Sequence, residues 1–283
     1  MKPIFLLTLV TILSSPSYAQ DDLLDTLENE TQVEHFQQPA FKAMKIGNLQ
    51  STKVAAKGDL YMYVSHRFGT LKDGLSTFFG FDNANTKIQL VYGCFDGIQL
   101  GISRESLRKT YATSAKLKLF SQSENMPFNV VSYNAIYINS ELRKDRYPLL
   151  RFGDRMSYTT QLLISRSMNK NLSLELAPTY IRQNLVLEPE QKHNQYALGI
   201  GGRMKLSKRT SLNADYVYHL NRYENSIYNN PLTLGIDIET GGHVFQLLFS
   251  NAQSTNEPGF ISNAEGDWEH GDVFFGFNIV RVF

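Results

Sequence analysis

The 283-residue chain has one cysteine, Cys94, one tryptophan, Trp268, and a formal charge of only +1. A lone thiol excludes an intramolecular disulfide framework, and no cysteine follows the apolar start to carry a lipid. The near-neutral balance contains no basic block or stripe, which excludes an electrostatic footprint for nucleic acid. Beyond Leu13 no run approaches the roughly 18 consecutive apolar residues of a membrane-spanning helix. A phosphate-cradling glycine loop is also lacking. Ser65 and His66 are adjacent, so in a strand they point to opposite faces and cannot form a nucleophile–base pair. No cofactor, catalytic or metal site is therefore expected, and the chain reads as a non-enzyme. Aromatic residues, by contrast, are plentiful, with 15 Tyr and 18 Phe.

Met1-Lys2, the apolar run Ile4 to Leu13 and the small-residue stretch ending Ser17-Tyr18-Ala19 have the form of a secretory signal peptide cleaved after Ala19. Residues 20–57 read as a periplasmic amino-terminal tail or a lumen plug. Within them Ala40 to Ile46 reads as a short possible strand, followed by a polar link to Lys57. Export without disulfides fits a bacterial envelope protein.

The patterning of residues 58–283 is dominated by period-2 alternation. Tyr196, Leu198, Ile200, Met204 and Leu206 alternate with Gln195, Ala197, Gly199, Gly201, Arg203 and Lys205. After a polar turn at Ser207 to Thr210, Leu212, Ala214, Tyr216, Tyr218 and Leu220 alternate with Asn213, Asp215, His219 and Asn221. Each run is about 10 residues, the length a tilted strand needs to cross a bilayer. Short and long connections alternate along the chain, as they do when periplasmic turns are short and outer loops long. The pattern predicts an all-β fold, a transmembrane antiparallel β-barrel of about 12 strands, with 14 as the alternative count. A closed barrel leaves no strand edge unpaired in the membrane.

The last strand carries Val273, Phe275, Phe277, Ile279 and the terminal Phe283 on one face. This ending resembles the signal read by the barrel assembly machinery, which is thus an expected partner along with outer-membrane lipids. Arg281 stands where an apolar residue is usual.

Lys57-Gly58-Asp59-Leu60, Ser65-His66-Arg67-Phe68-Gly69 and Phe78-Phe79-Gly80-Phe81-Asp82-Asn83-Ala84 resemble the opening of the barrel family known as domain of unknown function 5777. Leu90-Val91-Tyr92-Gly93, Gly97-Ile98-Gln99-Leu100-Gly101 and Lys109-Thr110-Tyr111 are similar to it as well. The resemblance spans Phe41 to Phe283. It implies a signal-bearing barrel of the bacterial outer membrane and no assigned activity.

Inward positions of the proposed barrel carry Lys116, Lys118, Glu175, Arg203, Lys205, Asp215 and His219. Such residues either line an aqueous path or form paired networks filling the lumen. The expectation is a passive or substrate-specific pore for small polar solutes. The alternative is a closed barrel that docks an envelope protein partner. Occupancy of the lumen decides between them. At the rim, Asp267, Glu269, His270 and Asp272 surround Trp268 as a solvated cluster.

Overall fold

The computed structural model describes residues 40–186 and 188–283. The expected signal peptide and the tail up to residue 39 lie outside the described residues. Twelve strands close into one antiparallel barrel. In chain order they are β1 (Leu60–Thr70), β2 (Ala84–Phe95), β3 (Ile98–Glu105), β4 (Thr110–Phe120), β5 (Asn129–Asn139) and β6 (Met156–Ser167). They continue as β7 (Leu172–Gln183), β8 (Asn194–Lys205), β9 (Thr210–His219), β10 (Leu232–Thr240), β11 (His243–Ser250) and β12 (Phe274–Val282). Each strand pairs with its sequence neighbours, and β1 pairs with β12 to close the ring.

Alternation determines which side chain meets which medium. Along β1 the buried positions are Tyr61, Tyr63, Ser65 and Arg67, while Met62, Val64 and His66 face outward. Along β8 and β9 the outward Tyr196, Ile200, Met204, Tyr216 and Tyr218 are well exposed, and Gln195, Arg203, Asp215 and His219 are buried. The apolar wall therefore faces lipid and the polar face looks inward, as in transmembrane barrels generally. The lipid-facing aromatic group is densest where β1 meets β12: His66 stacks on Phe277 at 5.2 Å, and Phe68 on Phe275 at 5.8 Å. His66 Nδ1 also meets Thr86 Oγ1 at 2.9 Å. His66 and Arg67 thus serve different media.

The connections β2–β3, β4–β5, β6–β7, β8–β9 and β10–β11 are short and lie at one end of the barrel. The other end carries the long ones, together with one short connection, residues 106–109 between β3 and β4. The chain enters β1 and leaves β12 at the short-turn end, where Leu60 and Phe283 exchange backbone hydrogen bonds.

Two segments that belong to no strand fill the interior. Residues 43–52 precede β1 and are buried throughout, and residues 254–264, between β11 and β12, are too. Ile46 and Leu49 from the first and Phe260 and Ile261 from the second pack with Val131, Tyr133, Leu163 and Ile181 of the wall. An apolar side chain fully buried in this way contributes roughly 1.5–3 kcal/mol, so both insertions are anchored by packing as well as by polar contacts.

Candidate functional site

Residues 40–57 run into the lumen and back. Lys45 and Gln50 form an antiparallel bridge, Ile46 N donates to Leu49 O at 2.9 Å, and Ser51 N donates to Met44 O at 3.0 Å. The result is a small hairpin with its tip at Ile46 to Leu49. Its remaining peptide groups are outside any sheet, and a buried peptide group without a partner is costly. The barrel wall supplies the partners. Lys116 Nζ donates to three hairpin carbonyls, those of Ser51 at 2.7 Å, Met44 at 3.0 Å and Lys53 at 3.2 Å. Glu175 Oε2 accepts from Thr52 N at 2.9 Å, Asp215 Oδ2 from Asn48 N at 3.0 Å, and Gln99 Oε1 from Ala55 N at 2.7 Å. Gln246 Nε2 donates to Ile46 O at 3.0 Å, and Arg67 Nη2 to Asn48 Oδ1 at 2.8 Å. Strands β1, β3, β4, β7, β9 and β11 thus all hold one hairpin, so it is gripped around most of the ring.

Three of the inward charges predicted from the sequence, Lys116, Glu175 and Asp215, grip this plug. They line the lumen wall but face protein and not a water column, with exposures of 1 to 2%. Arg203 instead donates to Glu239 Oε1 at 2.9 Å, and the other oxygen of that carboxylate accepts from Lys42 at 2.6 Å. His219 Nε2 lies 2.9 Å from Gln195 Oε1. Lys118 and Lys205 are not brought into the site. Lys118 is exposed and Lys205 partly exposed at the short-turn end. Both keep the inward parity, but they sit too near the strand ends to be enclosed.

Small inward residues make the room. Gly199 and Gly201 of β8 lie against Leu49 and Ile46 respectively, and a Cβ at Gly201 would collide with Ile46 Cδ1. Gly93 performs a similar service where the plug leaves the lumen, since a Cβ there would run into the Ala56 carbonyl. Gly202, by contrast, points outward toward Leu174. Replacing Gly201 with Val should displace Ile46 while leaving the strand ladder intact. Limited proteolysis is expected to cut residues 40–56 faster in the variant, with the barrel still resisting. Equal cutting of both proteins would contradict this packing.

The second stopper is the segment between β11 and β12. Glu105 of β3 receives Thr255 N at 2.7 Å and the Asn85 amide at 2.6 Å, and Tyr137 donates to Glu257. A single π-helical turn, Pro258–Ser262, then lays Phe260 and Ile261 across the interior. The two stoppers touch: Gln50 Nε2 donates to Glu257 Oε1 at 2.7 Å, and Lys45 Nζ to Thr255 O at 2.9 Å. Above them, at the long-loop end, a cavity of about 280 Å³ is lined in part by Arg108, Glu141, Arg155 and Asn263.

That junction is sensitive to pH. Burial first, and then the nearby Lys87 and Arg67, lower the Lys45 amine from 10.5 to about 7, against the pull of Glu257 and Glu105. For Glu257 burial pushes upward, but Lys45, Lys87 and the bonds from Tyr137 and Gln50 outweigh it and hold the carboxyl below its ordinary value. A lysine depressed in the seated state favours seating progressively as pH rises from about 7 toward 10.5. A depressed carboxyl contributes above its free value of 4.5 and loses that contribution as pH falls through its lowered one. Both signs agree at Lys45 and Glu257, so acid weakens the hold of these two groups on the junction. Protease cutting of residues 40–56 should be faster at pH 5 than at pH 9, and a flat or reversed profile would contradict the assignment.

Sequence reasoning missed Arg67, Glu105, Glu257 and Lys45 as members of this site. The inward parity of Arg67 on β1 was the available signal, as was the Phe260-Ile261 pair inside an otherwise polar loop. No described histidine ring meets a serine or cysteine. Asp267 Oδ2 pairs with His270 Nδ1 at 2.6 Å on the exposed rim.

The sequence from residue 41 to 283 matches the family model described as a membrane-bound beta barrel domain, DUF5777. The chain belongs to this family. No curated protein matches it. Among solved structures, the KdgM porin is similar at 9% identity and a TM-score of 0.48, over 79% of this chain and 99% of that one. The NanC porin is similar at 10% identity and 0.49, over 79% and 98%. The COG4313 outer membrane channel from Pseudomonas putida F1 is similar at 13% identity and 0.49, over 82% and 97%. For a member of this barrel family, what the lumen does must be argued from its own contacts.

Proposed function

We propose that this protein is a bacterial outer-membrane channel of the gated, substrate-specific kind, held closed by its plug and opened when the plug is displaced. The observation that carries this reading is the grip of Lys116 on three plug carbonyls. A lysine that lined a water-filled pore would be hydrated; here the ammonium spends all three donors on a removable segment. An unobstructed pore does not fit a lumen filled from both ends. Small polar solutes remain the substrate class, because outside the apolar patch of Val131, Tyr133, Leu163 and Ile181 the inward wall is largely Gln, Asn, Ser, Thr and charged residues. The short turns would face the periplasm and the cavity at the long-loop end the exterior.

The filled lumen also favours a second reading, a barrel that never opens and serves as a docking platform for an envelope partner. Sugar uptake into liposomes separates the two. A gated channel predicts little uptake with the intact protein and a small but measurable rise with the plug-loosened Gly201→Val variant, in which the second segment still lies across the interior. A docking platform predicts none with either.

A further inference from the structure

The lipid-facing wall of β2 to β5 carries one depression. The register sets Thr113 of β4 between Ile102 of β3 and Ile136 of β5, and the shorter side chain leaves a groove of about 540 Å³ that also touches Leu90 of β2. The next outward row toward the long-loop end places Arg104 opposite Tyr111, and both line the head of the groove. Both are exposed, and the guanidinium carbon lies 5.7 Å from the centre of the Tyr111 ring. One end of an apolar groove is therefore closed by a positive charge. Among the described residues no carboxylate lies within ion-pair distance of it. The outward positions of β2 to β5 contain neither aspartate nor glutamate, and Glu105, the next residue, is buried on the lumen side. Lys109, exposed in the connection 106–109, adds a second positive charge at the same end. That connection is short, so no long loop joins β3 to β4 above the groove.

A tyrosine on the outer wall of a barrel marks the level of the lipid headgroups, and a cation at that level is stabilised by an anion. A guanidinium matches phosphate in both charge and geometry, through paired N–H donors. The groove below it offers only apolar contact. A lipid meets both demands in one molecule, with a chain for the groove and a phosphate for the cations. Free phosphate would leave the groove empty, and an uncharged apolar surface would leave Arg104 unpaired. We infer that this groove binds one membrane lipid with a net-anionic phosphate headgroup, its phosphate on Arg104 and Lys109 and an acyl chain across Thr113. The site lies outside the lumen, so it stands or falls separately from the channel reading.

The test is native mass spectrometry of the full protein in detergent, offered equal amounts of phosphatidylglycerol and phosphatidylethanolamine with identical acyl chains. Wild type should retain one phosphatidylglycerol about fivefold more often than the zwitterionic lipid, the scale of one basic side chain at a lipid surface. Arg104→Gln should bring the two lipids close to parity. Thr113→Leu, which fills the groove, should lower retention of both by roughly fivefold. Arg182→Gln is the control: this outward arginine of β7 already donates to Asn194 Oδ1 at 2.8 Å, so neither figure should move. All three variants change outward side chains and no ladder bond, so a lost lipid is not a lost fold. Equal retention of the two lipids by wild type would overturn the inference, as would a preference that survives Arg104→Gln or falls equally in Arg182→Gln. Retention unchanged by Thr113→Leu, or inorganic phosphate retained as well as the lipid, would show that the groove takes no part.

Discussion

Removing both stoppers should turn a sealed barrel into an open pore. A variant that joins residue 39 to Lys57 and replaces residues 252–264 with a short Gly-Ser linker is expected to raise sugar influx into liposomes about tenfold or more over the intact protein. The barrel should survive, because every strand, including the closing β1–β12 pair, is hydrogen-bonded to two others and owes no ladder bond to either insert. Each single removal should do much less. The hairpin is gripped from six strands around the ring, and the other segment lays Phe260 and Ile261 across the same interior. Influx from the double variant no greater than from protein-free liposomes would mean that the strands alone leave no usable path.

The second large effect is expected at Lys116. Replacing it with Met keeps the length of the side chain but leaves the carbonyls of Ser51 and Lys53 without this donor, and Met44 O with only the Ser51 N–H. Stranding buried polar groups costs about 1–3 kcal/mol each, and losing one member of a buried charged network about 3–5 kcal/mol in all. Expressed as protection of the plug amides from hydrogen exchange, this is a loss of roughly two to three orders of magnitude. The strands should keep their protection. Lys118→Met is the matched control: two residues along the same strand and of the same parity, it is exposed and holds nothing, so plug exchange should not change.

The contrast between Lys116 and Lys118 also shows how far the sequence could be read. Strand periodicity depends on neighbours two residues apart, so the alternation that places Tyr196 outward and Gln195 inward, and the number of strands, were legible in the chain. Which inward charge meets water and which meets protein was not, because the deciding partners are remote. Thr52 meets Glu175, 123 residues away, and Asn48 meets Asp215, 167 away. Residues 47–57 read as a polar link because they have no apolar period. Their peptide groups are satisfied by wall side chains and not by a ladder, which leaves no periodic trace. The segment from Ala252 reads as a long outer loop for the same reason. Only Phe260-Ile261 hinted that part of it turns inward.

The central claim is that the lumen is closed by its own chain. The most direct test is the current carried by the intact wild-type protein in a planar bilayer at neutral pH. The account predicts a quiet baseline broken only by brief openings, which are rarer at pH 9 than at neutral pH as the seat of Lys45 strengthens. A steady ohmic conductance from the intact barrel, unchanged by pH, would contradict it.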